Sequence, residues 1–174
     1  MKRKSTPNWD ASADTAAAAR EHLPALAARY FAAGRKTFAR KADPETLHAF
    51  RIETKRFRYT LELFQPLYGP GLAERLELLR KVQQYLGDIN DCVITERLLR
   101  STSADGGPPK KLLRALAARS RQRRRKLIEF WRQNFDAPGA EQSWVRYLRA
   151  WAGRTGRRAT PRAEVARSAT PAEK

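Results

Sequence analysis

A chain of 174 residues with 41% apolar side chains is long enough for one domain with a real hydrophobic core, and its formal charge of +18 favours a polyanionic partner such as nucleic acid, an anionic membrane surface or an inorganic phosphate polymer. The single cysteine, Cys92, excludes an internal disulfide, and two histidines make no zinc-type ligand cluster, so neither a metal nor a cofactor is expected. No run approaches the roughly 18 apolar residues needed to cross a bilayer, and no apolar stretch follows the basic start MKRKSTPNWDASAD, so a soluble cytoplasmic protein without membrane partners is the default expectation.

Helical periodicity dominates the chain, and no convincing alternating strand stands out. Residues 1–13 read as a basic tail. The first helix is expected from after Asp14 to about Lys41, with Pro24 either kinking it or marking its true first turn. Leu23, Leu26, Tyr30 and Thr37 share a face widened by Phe31 and Phe38, and Arg29, Lys36 and Arg40 line its edge. Asp43-Pro44 then stops and restarts the chain, with Asp43 as N-cap of a second helix that runs to about Gln65, before Pro66.

After the turn at Tyr68-Gly-Pro-Gly71, a third helix aligns Leu72, Leu76, Leu79, Val82 and Leu86. Gly87 suits its C-terminal end, and Asp88 suits the cap of a separate fourth helix of roughly 12–15 residues. The loop Ser101–Pro109 leads to a fifth helix, about Lys110 to Phe135, expected to bury Leu112, Leu113, Leu116, Leu127, Phe130 and Trp131. A short sixth helix, about Glu141 to Trp151, places Trp144, Leu148 and Trp151 on one side. From 153 onward there is little to bury, and the sequence reads as a disordered basic tail. The result is an all-α antiparallel bundle of four to six helices over residues 14–152, its short connections favouring antiparallel neighbours.

The second helix carries the most informative pattern. At about 100° per residue, His48, Arg51, Lys55, Arg58, Tyr59 and Glu62 fall on one face. Phe50, Phe57, Leu61 and Phe64 lie to one side of it, with Ile52 and Leu63 to the other. A polar stripe with apolar flanks differs from the wet back of an amphipathic helix. It implies a helix packed on both sides of a basic ridge that can receive an anion. Residues 44–104 carry a net charge of only +1, against +5 for 1–43 and +12 for 105–174. Basic residues in the ridge look placed, whereas those near the C-terminus look accumulated.

Two stretches, LHAFRIETKRFRYTLELF and LRKVQQYLGDINDCV, resemble the CHAD domain, the conserved-histidine α-helical family. His48, Arg51, Lys55, Arg56, Arg58 and Tyr59 match a first element of the form H-x-x-R-x-x-x-K-R-x-R-Y. Gln83, Leu86, Gly87, Asn90 and Asp91 match a second, L-Q-x-x-L-G-x-x-N-D-like element. The resemblance covers residues 14–135 and implies a helical module that binds inorganic polyphosphate through a basic surface. The family's usual domain has two such repeats about a pseudo-two-fold, and only one is found here. Either two copies dimerise to rebuild the two-fold, or one half-domain offers an open groove. The E-x-E-x-K signature of the family's tunnel-enzyme partner is absent.

Candidate phosphate ligands are therefore His48, Arg51, Lys55, Arg56 and Arg58, with Arg29, Lys36 and Arg123 as outlying contributors. Arg51, Lys55 and Arg58 repeat every three or four residues, about 5–6 Å apart, and arginine presents a fork of donors to phosphate oxygens. His48 either donates a hydrogen bond to phosphate or bridges helices as a buried histidine. Glu62 and Asp91 are expected to pair with and orient the arginines, while Gln83 and Asn90 read as buried amides that set interhelical register. Arg123, inside the apolar arc of the fifth helix, points either into the bundle or towards the groove, and Tyr59 is expected to be packed.

The expectation is non-enzymatic binding of polyphosphate, in the cytoplasm and associated with polyphosphate granules. The competing expectation is non-specific nucleic-acid binding by the fifth helix and tail, through counterion release. A third, phosphoanhydride turnover, lacks a P-loop, an acidic metal cluster or an activated nucleophile.

Overall fold

The computed structural model describes residues 15–39, 42–102 and 107–151. Both terminal tails, and Arg40 of the first helix's edge, lie outside the described residues. Among the described residues five α-helices form the fold: α1 (Thr15–Phe38), α2 (Pro44–Leu63), α3 (Pro70–Thr102), α4 (Lys110–Asn134) and α5 (Ala140–Trp151), with one 3-10 turn at Gln65–Leu67. No strand occurs among the described residues, and the architecture is all-α. No helix in them is long and apolar enough to cross a membrane.

The start of α2 follows the local chemistry expected of it. Asp43 takes an extended backbone and accepts a 2.6 Å hydrogen bond from the Thr46 amide, with Pro44 supplying the first helical residue. That bond holds the Asp43 carboxyl below its usual range. The expected break at Gly87-Asp88 is absent: α3 runs through both residues as one helix of 33 residues, about 50 Å long. Leu86, Ile89 and Cys92 are buried on either side of the glycine, so packing carries the helix across a residue of low intrinsic propensity.

Neighbouring helices pack in the order α5, α1, α2, α3, α4. Pairings of α2 with α3 run antiparallel, from Glu45–Arg97 at one end to Glu62–Arg80 at the other. The last turns of α4 close the bundle. Trp131 stacks on Phe135 at 4.4 Å and meets Tyr30, Phe31, Phe38 and Phe50, joining α4 to α1 and α2. Gly34 is the reason this closure is possible, since a Cβ there would overlap the indole ring. Truncating Trp131 to Ala removes a fully buried ring and is expected to cost about 3–5 kcal/mol.

Polar groups within the core are mostly tied. The Tyr30 hydroxyl lies 3.3 Å from Thr54 Oγ1, which donates to the Phe50 carbonyl at 2.8 Å. Tyr68 donates to the Leu148 carbonyl at 2.8 Å, and burial pushes its phenol up to about 12. The Arg75 guanidinium stacks 3.9 Å from the Tyr147 ring centre and donates to the Gly71 carbonyl, clamping α5 to the start of α3.

The outer half of α4 differs from expectation. Only Leu127 and Trp131 are fully buried in α4, while Leu113, Leu116 and Phe130 are half-buried and Leu112 is exposed. Helix α4 pairs chiefly with α3, so much of its length is covered from one side only.

Candidate functional site

The ridge of α2 lies along its seam with α3. At one end His48 Nδ1 is 3.1 Å from Asn90 Oδ1. Ten residues on, Arg58 donates from Nε to Gln83 Oε1 at 2.8 Å and from Nη1 to Glu62 Oε1 at 2.5 Å. Glu62 also receives Arg80 at 3.2 Å, and Arg80 pairs in turn with Glu77. These two carboxylates hold the Arg80 guanidinium above its usual range. Gln83 and Asn90 bridge α3 to α2 from half-buried rather than fully buried positions.

Between these ends the seam is cationic and unneutralised. Arg51 keeps a buried Nε without a hydrogen-bond partner. Neither Arg51, Lys55 nor Arg56 forms an ion pair among the described residues. Lys55 and Arg56 are exposed. A buried guanidinium donor normally finds an acceptor. Here α3 supplies none, although amides of the same helix serve His48 one turn before and Arg58 two turns after.

The two flanks of the ridge are unequal, contrary to the expectation of packing on both sides. Phe50, Phe57, Leu61 and Phe64 are buried, whereas Ile52 is 36% and Leu63 76% exposed. Ile52 instead lines a groove of about 360 Å³ with Leu86, Ile89, Val93 and Ile94, edged by His48 and Asn90. Tyr59 is not packed either. It is 47% exposed, and the Arg58 guanidinium lies 4.4 Å and the Lys55 ammonium 5.5 Å from its ring centre. The phenol ring props the two cations along the outer edge of the seam.

Three outlying candidates fall elsewhere. Arg123 Nε lies 2.9 Å from Asp88 Oδ2, an ion pair by distance without the alignment of a hydrogen bond. Asp88 is on the α4 side of α3, so Arg123 belongs to the other seam. Arg29 and Lys36 are exposed on α1, which meets α2 on its Phe50 and Thr54 side rather than its α3 side. Asp91 is exposed and pairs with none of the arginines among the described residues, so of the two expected carboxylates only Glu62 orients one. Sequence reasoning missed Arg80, whose three-residue spacing from Glu77 was the available signal.

Among the described residues no three His, Cys, Asp or Glu side chains gather as metal ligands would. What the seam offers is a short row of basic side chains, fixed at both ends and open in the middle.

Neither a curated protein nor a solved structure matches the chain. The family model of the CHAD domain matches residues 2–100, spanning α1, α2 and all but the last two residues of α3, so the His48–Asn90 and Arg58–Gln83 seam lies wholly inside it. This chain belongs to the CHAD family.

Proposed function

We propose that the chain binds inorganic polyphosphate along the α2/α3 seam, holding the polymer rather than turning it over. The observation that carries this reading is Arg51, a half-buried arginine without an ion pair among the described residues, set between His48 and Arg58, which amides of α3 hold in place. An anion lying over the seam gives Arg51 the counter-charge that no side chain of the described residues supplies, and charge-assisted bonds are among the stronger ones. Because Arg58 is already ordered by Gln83 and Glu62, little side-chain freedom is lost when it meets phosphate. Lys55 and Arg56 extend the row outward, where successive phosphates add in series. The reading places the chain in the cytoplasm, at polyphosphate granules.

Titration with polyphosphates of increasing length tests it. Affinity is expected to rise with length up to the span of the seam and to fall steeply with salt; length-independent binding, or none, refutes it. A phosphate-release assay with added divalent metal is expected to show no turnover. Light scattering with and without polymer reports whether one chain or a homodimer holds it.

A specific observation favours a second surface for nucleic acid. On α4, Lys110, Lys111, Arg114, Arg121, Arg125 and Arg132 are exposed along one side and form no ion pair among the described residues. This helix lies beyond the family match. Such a row binds phosphate backbones by counterion release, without sequence preference.

A further inference from the structure

Glu62 holds two arginines from two helices on a single oxygen. Its Oε1 accepts from Arg58 Nη1 of α2 at 2.5 Å and from Arg80 Nη2 of α3 at 3.2 Å. Each guanidinium also has a tether that does not depend on Glu62. Arg58 donates from Nε to Gln83 Oε1 at 2.8 Å, and Arg80 pairs with Glu77 one turn before it on α3. Both forks therefore keep a partner if the Glu62 carboxylate turns away.

The carboxylate has somewhere to go. Glu62 is the penultimate residue of α2 and lines an open cleft of about 600 Å³ with Gln65, Tyr68, Gly69 and Pro70. The Arg80 and Glu62 side chains are 45% and 26% exposed, so a ligand can reach the place that the shared oxygen occupies. Arg58, 13% exposed, is the inner wall of that place. Charges at this end of the seam cancel, Arg58 and Arg80 against Glu62 and Glu77. One and two turns back along α2, Arg51, Lys55 and Arg56 form no ion pair among the described residues. The protein's own acid thus covers one end of a row that is otherwise bare.

We infer that Arg58 and Arg80 form a clamp for a phosphoryl group, one jaw from each helix, which the Glu62 carboxylate occupies until a ligand takes its place. This rests on the polyphosphate reading of the seam and extends it from α2 onto α3. Carboxylate and phosphoryl oxygens are the same kind of acceptor for a guanidinium fork, so one replaces the other without rebuilding the site. Two guanidiniums this close repel when nothing lies between them, so Glu62 keeps the clamp assembled between ligands. The same acid competes with the ligand and lowers resting affinity.

Glu62→Gln in the full chain is the test, because glutamine keeps an acceptor oxygen for both arginines and removes the competing charge. Glu45→Gln is the control, since Glu45 pairs with Arg97 across the same two helices at 3.2 Å but holds no second arginine. Long-chain polyphosphate is expected to bind Glu62→Gln about 5–10-fold more tightly than the unsubstituted chain, and Glu45→Gln within about twofold of it. Arg80→Ala, an exposed change, is expected to weaken binding about fivefold and to shrink the gain from Glu62→Gln to about twofold in the double variant. Helicity is followed in the same samples. Unchanged or weaker binding by a folded Glu62→Gln overturns the clamp and leaves Glu62 as a brace for Arg58. Equal gains in both glutamine variants overturn it in favour of overall charge. Should Glu62→Gln fail to fold, unsubstituted affinity in Arg80→Ala overturns it alone. Absence of polyphosphate binding by the unsubstituted chain overturns the reading beneath it instead.

Discussion

The α2/α3 seam and the outer side of α4 are both basic, and they are basic in different ways. Residues 44–104, which hold the seam, carry a net charge of only +1, yet Arg58 is fixed by Gln83 of the facing helix and Glu62 of its own, and His48 is held by Asn90. From Lys110 to Lys126, α4 carries nine cations and no acid, and its exposed row forms no ion pair among the described residues. Like charges four apart, Lys110 with Arg114 and Arg121 with Arg125, work against the helix that bears them. On the proposed reading, placement distinguishes a binding seam from a surface that attracts any polyanion. Charge census alone would have ranked the two regions in the opposite order.

Substitutions that separate the two regions test that contrast. The largest effect is expected from replacing Arg114, Arg121, Arg125 and Arg132 together by Gln. Duplex DNA binding should weaken by about 100-fold at moderate salt, with the log–log salt slope shrinking by about 3–4, while polyphosphate affinity changes less than about threefold. An equal loss for both ligands would merge the regions into one electrostatic surface. A smaller effect, about 10-fold on polyphosphate alone, is expected for Arg58→Lys, which keeps the charge but loses the fork shared by Gln83 and Glu62. Asn90→Ala, which frees His48, is expected to cost about threefold, read by calorimetry.

Smallest is Asp43→Ala, a change to the fold that touches neither region's cations. Removing the cap of α2 should lower Tm by a few degrees at neutral pH. The folded carboxyl is held below the ordinary value, so its stabilisation is complete above about pH 4 and is lost as pH falls further. The Tm gap between wild type and variant should close over that acid range. A gap that persists there would mean that the cap acts through something other than the ionised carboxylate.

Helices were the legible part of this chain. Starts at Pro44 and Lys110 and the closing Ala140–Trp151 helix follow from caps, prolines and 3.6-residue apolar spacing, which are local signals. Gly87-Asp88 shows where local signals fail. It has the chemistry of a C-terminal glycine and an N-cap, and buried Leu86, Ile89 and Cys92 override it. Within the site, the ridge on α2 was legible because one helix face is a property of one segment. Its partners were not, since the pairing of His48 with Asn90 and Arg58 with Gln83 depends on the offset between two helices. Arg123 was ambiguous for the same reason: its position on α4 was clear, but whether it met Asp88 or the groove depended on how α4 lies on α3. Ile52 and Leu63 read as a second packed flank because apolar residues usually mark burial, and the fold leaves them at the surface.

The central claim, that polyphosphate is held by the α2 cations at the α3 seam, is tested most directly by titrating long-chain polymer into the Arg51→Ala, Lys55→Ala, Arg58→Ala triple variant at fixed salt, with helicity followed in the same samples. The account expects affinity to fall by about 100-fold with the α-helical signal unchanged. Wild-type affinity in a folded triple variant would contradict it and move the binding to the cations of α4.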